Sequence, residues 1–194
     1  MSKLIFFLGP AGAGKTTLAE AWLRRHGGAY LDMDTLLRPA AEAIMTLAGE
    51  DPEDRDSPFY KEHCRDLGYR ITMDAALQQL KLGLDAVVVG PFTRETEDAD
   101  WLAGELARIG ATASEVSVKV VLVTLASEAD YYARIQARAS SLDVWKLANW
   151  EQFRLSLRPR AIAWPLPASS VLVFDNSAPL TEDALAGLER YITG

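Results

Sequence analysis

The chain has 194 residues, 49% of them apolar and 24% charged, with a formal net charge of −7. That length supports one full hydrophobic core, so a single domain over residues 1–194 is expected. The acidic balance excludes a protein held on nucleic acid or a membrane surface by a general positive field, but it leaves room for a local basic groove. Cys64 is the only cysteine, so no intramolecular disulfide can form. No apolar run approaches the ~20 residues of a bilayer span, and the start Met1-Ser2-Lys3 with its short apolar run is too brief for a signal peptide. A cytoplasmic protein without nucleic-acid or membrane partners is expected.

In chain order, the apolar run 4–8 reads as a first strand and leads into Gly9-Pro10-Ala11-Gly12-Ala13-Gly14-Lys15-Thr16. This is G-x-x-x-x-G-K-[ST] between a strand and a helix, the context a phosphate-binding loop requires. Gly9, Gly12 and Gly14 allow the backbone N–H groups, including that of Ala13, to turn around an anionic phosphate chain. Lys15 reaches for the β- and γ-phosphates of ATP and is counted as catalytic. Thr16 offers its hydroxyl to Mg²⁺, with Thr17 beside it in the first turn. The helix over 15–26 points its positive dipole end at the same charge and ends at Gly27-Gly28.

A second strand over 29–31 is followed by Asp32-Met33-Asp34, read as a loop, with Pro39 as first helical residue for 40–48. Residues 49–58 carry five acids against Arg55 and read as an exposed loop, and one long helix is expected over 59–82. The stretch 38–84 is thus a helical insertion between strands two and three, placed to form the wall for a second substrate. Strand three covers 86–89 and a helix 95–109. Strand four covers 118–124, and Ser127-Glu128-Ala129-Asp130 matches a capping pattern for a helix to about 139. Residues 140–144 break the pattern before a helix over 145–157 and an irregular piece, 158–168. Strand five, 170–174, delivers Asp175-Asn176-Ser177, and a helix over 181–192 closes the chain. Strands alternating with helices predict a parallel α/β sheet covered on both faces.

Two carboxylates stand just past the carboxyl end of strand two, where open parallel sheets place ligands. In an extended segment Asp32 and Asp34 point the same way. Asp32 is assigned to Mg²⁺ through water and Asp34 to the substrate, accepting a proton from an attacking hydroxyl, against the alternative that one of them caps the next helix. Strand three ends in Gly90 where many phosphate-loop ATPases have an acid, which shifts magnesium duty to Asp32. Arg94 overlooks the same crevice as a substrate-binding candidate. Arg134 and Arg138 share a helix face before the break, followed by Lys146, Arg154, Arg158 and Arg160. Such a run suits a lid over 134–146 that closes on ATP, Arg138 neutralising phosphate charge. Trp145, Trp150 and Trp164 read as packing residues. Neither His26 nor His63 has metal-ligand spacing.

With these residues in place, the chain resembles the phosphate-loop small-molecule kinases such as shikimate kinase, gluconokinase and chloramphenicol phosphotransferase. The resemblance rests on residues 9–16, the Asp32-x-Asp34 pair, Gly90 at the end of strand three, the arginine-bearing segment 134–146 and Asp175-Asn176-Ser177. It implies a three-layer α/β/α fold with a five-stranded parallel sheet of order 2-3-1-4-5, and adenine lying between the lid and the loop at Asn176. It also implies transfer of phosphoryl from ATP, with Mg²⁺, to a hydroxyl of a small polar acceptor: a sugar, a nucleoside or a hydroxylated antibiotic. Gly90-Pro91-Phe92 replaces the glycine triplet of shikimate kinases, which speaks against shikimate. The alternative is a nucleotide-hydrolysing regulatory ATPase acting on a protein partner, although the sequence has no D-x-x-G or N-K-x-D signature of GTP-driven switching. Residue patterns do not define the acceptor or the oligomeric state.

Overall fold

The computed structural model describes residues 1–158 and 161–194, so Arg160 lies outside the described residues. Strands β1 (Lys3–Leu8), β2 (Ala29–Asp32), β3 (Ala86–Gly90), β4 (Ser117–Thr124) and β5 (Val171–Asp175) form one sheet in the order β2-β3-β1-β4-β5. Every pairing is parallel. Central β1 sets Phe6 opposite Val88 on one side and Val120 on the other. Because both faces of β1 are covered, its sequence is apolar without alternation.

The helices are α1 (Lys15–His26), α2 (Met33–Ala48), α3 (Pro58–His63), α4 (Arg65–Lys81), α5 (Trp101–Ala107), α6 (Glu128–Arg138), α7 (Val144–Ala148), α8 (Trp150–Phe153) and α9 (Glu182–Thr193). Ile5 and Phe7 face α1 and α9 through Leu18, Trp22, Leu185 and Leu188. Leu4, Phe6 and Leu8 face α2, α4 and α5 through Leu37, Met73, Leu77 and Leu102. The three-layer arrangement and strand order match those expected from the sequence. No described helix is long and apolar enough to cross a membrane.

Several local expectations are corrected. No loop separates β2 from α2: β2 runs to Asp32, whose carboxylate accepts from the Thr35 backbone N–H at 2.9 Å and so caps the helix. Pro39 therefore lies inside α2 rather than at its start, where its ring can donate no bond to the preceding turn. The expected helix 59–82 is two helices. Ser57 caps α3 with Pro58 in its first turn, and the chain breaks at buried Cys64 (φ −111°, ψ −38°) before α4. Only Trp101–Ala107 of 95–109 is helical, because Thr96 and Asp98 turn their side chains to local backbone groups. The expected helix 145–157 breaks at Asn149 (φ −118°, ψ 42°) into α7, α8 and a short 3₁₀ turn.

Trp164 anchors the otherwise irregular segment before β5. It is 3% exposed, stacks on Trp101 at 5.3 Å, and approaches Phe6 at 5.1 Å. Its indole N–H donates to the Glu95 carbonyl at 2.7 Å. Truncation leaves a cavity and an unmatched carbonyl, so Trp164→Ala should cost about 3–5 kcal/mol in urea unfolding. A loss under about 1 kcal/mol would show that this segment is not anchored there.

Candidate functional site

The phosphate loop is shaped by backbone that side chains would obstruct. Gly9 has φ 144°, and a Cβ there would meet the Val123 carbonyl oxygen at 2.3 Å. Gly14, left-handed at φ 94°, starts α1, and its Cβ would meet Asn176 Nδ2 at 2.2 Å. Alanine at Gly9 would press on backbone, and alanine at Gly14 would displace the Asn176 amide, each on a backbone that L side chains rarely adopt. Lys15 Nζ donates to the Pro10 carbonyl at 2.8 Å, across the mouth of the loop. Thr16 and Thr17 are exposed in the first turn of α1, whereas Ala13 is fully buried. An apolar recess of about 100 Å³ lies beside Gly9 and Pro10, walled by Pro91, Leu122, Tyr131 and Leu157 with Arg158 also lining it.

Asp32 is brought to the loop and Asp34 is not. The Thr16 hydroxyl donates to Asp32 Oδ2 at 3.5 Å, and the Tyr30 hydroxyl donates to the same oxygen at 3.4 Å. Burial, then the charge of Asp32, push the Tyr30 hydroxyl well above its ordinary pKa, so it stays a proton donor to that carboxylate. A hydroxyl and a carboxylate oxygen side by side are the hard donors that Mg²⁺ accepts while it keeps waters and phosphate oxygens. No group of three His, Cys, Asp or Glu converges on a metal position among the described residues. Asp34, in the first turn of the helix that Asp32 caps, is exposed. It faces the α3–α4 side: burial raises the pKa of Tyr60 and pushes Tyr69 up to about 12, and the carboxylate of Asp34 adds to both. The side-by-side pair expected for an extended segment does not form, because the helix begins between the two aspartates.

Of the two arginines on α6, Arg134 touches the phosphate loop. Its guanidinium donates to the Ala13 carbonyl at 3.5 Å, to the Ser177 carbonyl at 3.4 Å and to the Asn176 carbonyl. Asn176, 8% exposed, donates from Nδ2 to the same Ala13 carbonyl at 2.8 Å. Arg138 instead forms a two-pronged bond with Asp143, at 2.7 Å from both Nε and Nη2. Asp143 is 1% exposed and also accepts from Lys146 at 3.1 Å. Lys146 stands 4.0 Å from Asp56 in the loop before α3, and Lys61 of α3 lies 5.5 Å over the Trp145 ring. The segment after α6 thus leans on the α2–α4 side through two cations. Arg94 is exposed, and no ion pair or side-chain hydrogen bond engages it among the described residues.

Sequence reading missed Arg55, Arg65 and Glu95. The run of acids around Arg55 suggested a solvated loop, and nothing in the local pattern marks a side chain that turns inward. Arg65 Nη2 is 3.7 Å from Glu95, and its guanidinium lies 5.1 Å over the Tyr69 ring. Together with Asp34, Tyr60 and Tyr69 these groups make a polar wall on the α3–α4 side.

Comparison with known proteins agrees with this geometry. The family model described as AAA domain matches residues 4–159. A cytidylate kinase from Dichelobacter nodosus (strain VCS1703A) is 34% identical over 121 residues, 61% of this chain and 46% of that protein, so the chain spans about half of its length. A solved structure from Chloroflexus aurantiacus J-10-fl superposes with a TM-score of 0.69 at 17% identity, covering 98% of both chains. A gluconokinase from Sinorhizobium meliloti 1021 superposes with a TM-score of 0.56 at 18% identity, covering 99% of this chain and 94% of the other. At these identities the structural matches establish a kinase-like phosphate-loop fold.

The contact between Lys146 and Asp56 is testable without a ligand. Removing the carboxylate in Asp56→Asn leaves Lys146 tied only to its own segment, so amide hydrogen exchange across 142–148 should quicken about five-fold, the scale of a partly exposed ion pair. Unchanged exchange would mean that the contact holds nothing.

Proposed function

Since the chain belongs to the AAA domain family, we propose that this protein is an ATP-dependent small-molecule kinase that transfers the γ-phosphoryl group to a hydroxyl of a small polar acceptor. One observation carries this reading: the phosphate cradle of residues 9–16 stands beside the Thr16–Asp32 oxygen pair, while a second, exposed carboxylate, Asp34, faces the polar wall of α3 and α4. A nucleotide-binding cradle with a carboxylate on its open side is what hydroxyl phosphorylation requires.

In this reading the backbone N–H groups of Gly12 to Thr16 surround the β-phosphate. Lys15 exchanges the Pro10 carbonyl for phosphate oxygens, so the loop is preorganised by a contact that the nucleotide replaces. Thr16 and Asp32 would hold Mg²⁺, which when bound neutralises charge on the β- and γ-phosphates. Asp34 orients the acceptor hydroxyl and takes its proton as the oxygen attacks phosphorus and ADP leaves. Arg134 holds the Ala13 carbonyl and so keeps the loop in shape, with Asn176 at the adenine side. Arg138, released from Asp143, turns to the phosphates when the lid over 134–146 closes. Arg94 binds the acceptor from the β3 side.

The cytidylate kinase relative favours a second reading, in which the acceptor is a phosphate group of a nucleotide rather than a hydroxyl. Incubating the protein with Mg·ATP and a library of sugars, nucleosides, nucleotides and hydroxylated antibiotics, with mass spectrometry of the products, separates the two. Phosphate on an alcohol oxygen supports the proposal. Phosphate added to a phosphate supports the second reading, and hydrolysis accelerated only by a protein, without a phosphorylated product, contradicts both.

Two substitutions report on the assigned roles. Lys15→Ala should weaken ATP binding by calorimetry and abolish turnover with the thermal melt unchanged; wild-type affinity and activity would remove the loop assignment. Asp34→Asn should leave Mg·ATP affinity within a few fold while lowering single-turnover transfer by roughly 10²–10⁴, the scale of lost general base catalysis. Near-normal transfer would take the base role from Asp34, and a collapse of Mg²⁺ binding would assign Asp34 to the metal.

A further inference from the structure

Tyr30 stands in β2 between residues that serve the core, yet its own side chain does not. Neighbouring Leu31 is buried in the cluster that α2 and α4 share with the sheet. Successive strand residues point to opposite faces, so Tyr30 and Asp32 share the other face, toward α1. The register agrees, because Tyr30 pairs with Val87 and Asp32 with Val89, and both valines pack on the α1 and α9 side. There Tyr30 stays 36% exposed, and its hydroxyl reaches along the strand to Asp32 Oδ2 at 3.4 Å. A phenylalanine would cover the same surface, so packing does not account for the hydroxyl.

The two oxygens of Asp32 are held from different directions. Oδ1 accepts from the Thr35 backbone N–H at 2.9 Å, and Oδ2 accepts from the Thr16 and Tyr30 hydroxyls. Glu20, the other carboxylate whose charge reaches the phenol, is drawn instead to Arg24 at 2.7 Å, which leaves Asp32 as the acceptor. With Oδ1 fixed by the helix cap, the two hydroxyls set the direction in which Oδ2 offers its lone pairs. Thr16 has a second duty at the phosphate loop and Tyr30 has none. Both hydroxyl contacts exceed the ~2.8 Å of a fully formed O–H···O bond, so each can shorten when a cation draws on the carboxylate.

We propose that Tyr30 is a positioning residue for Mg²⁺, its hydroxyl holding Asp32 Oδ2 beside Thr16 so that the carboxylate meets the ion or its water in one orientation. This rests on the assignment of Thr16 and Asp32 to Mg²⁺ in the kinase reading above, and it adds a side chain that the phosphate-loop motif does not include. A group that hydrogen-bonds a metal-binding carboxylate fixes its direction, and losing such a partner costs roughly 10–100-fold in metal affinity.

The test reads metal binding without turnover. Mn²⁺ stands in for Mg²⁺, and electron paramagnetic resonance follows the loss of the free-ion signal as Mn²⁺ binds the protein–ADP complex of the wild type, Tyr30→Phe, Asp32→Asn and the double variant. Tyr30→Phe keeps the ring, and asparagine caps a helix as well as aspartate does, so the thermal melts should be unchanged. Tyr30→Phe should raise the Mn²⁺ dissociation constant about ten-fold, the lower end of the scale for a lost partner of a metal ligand, while calorimetric ADP affinity in EDTA stays at the wild-type value. In the Asp32→Asn background the same change should have little further effect, because the hydroxyl acts through that carboxylate. Wild-type Mn²⁺ affinity in Tyr30→Phe beside a weakened Asp32→Asn would overturn the proposal and leave the metal assignment standing. An undiminished effect of Tyr30→Phe in the Asp32→Asn background, or an equal loss of ADP affinity in EDTA, would also overturn it, since the phenol would then act on the nucleotide or the loop. Asp32→Asn binding Mn²⁺ as the wild type does would remove the metal assignment and the proposal together.

Discussion

The carbonyl oxygen of Ala13 joins the parts of this molecule that must hold one geometry. It receives the amide of Asn176 from the end of β5 and the guanidinium of Arg134 from α6, so the loop after β1 is clamped by two elements more than 100 residues further along the chain. Gly14 is required at the clamp because Asn176 Nδ2 occupies the position where its Cβ would lie. With this oxygen tied back, the neighbouring N–H groups are left to face an anion. The strand order places β1 between β3 and β4, which brings the loop to the crevice where parallel sheets bind ligands.

Charge is arranged around this clamp in two layers. Near the loop, Asp32 does two jobs at once: one oxygen caps α2 and the other meets Thr16. Both groups are therefore positioned before any ligand arrives, which is the condition for electrostatic preorganisation. Further out, Arg138 at the end of α6 and Lys146 beyond it are held by Asp143, and Lys146 also by Asp56 of the loop before α3. The segment after α6 and the loop before α3 are thereby in contact through Lys146 and Asp56.

Much of this was legible in the sequence, and the failures share a cause. All five strands were located to within a residue or two, and the central ones most plainly, because a strand covered on both faces shows as an unbroken apolar run. The phosphate loop was legible because its glycines answer to local backbone geometry. The start of α2 was misplaced because Pro39 is a stronger helix signal than a single aspartate, yet the cap at Asp32 is fixed by the strand before it. The break at buried Cys64 has no local marker in the sequence. Arg134 and Arg138 cannot be ranked from spacing, since both lie on one helix face and only the folded chain sets Asp143 beside the second. Arg55 was hidden by its acidic neighbours, since burial of one side chain in a charged loop is decided by tertiary packing.

The central claim is that nucleotide phosphates sit in the loop clamped at Ala13, with Thr16 and Asp32 beside them. Backbone amide chemical shifts measured on titration with a non-hydrolysable Mg·ATP analogue test it most directly. The account predicts that the largest changes fall on the amides of Gly12 to Thr17, with a second group at Asn176 and Ser177. Large changes confined to other surfaces, with residues 12–17 unmoved, would contradict it.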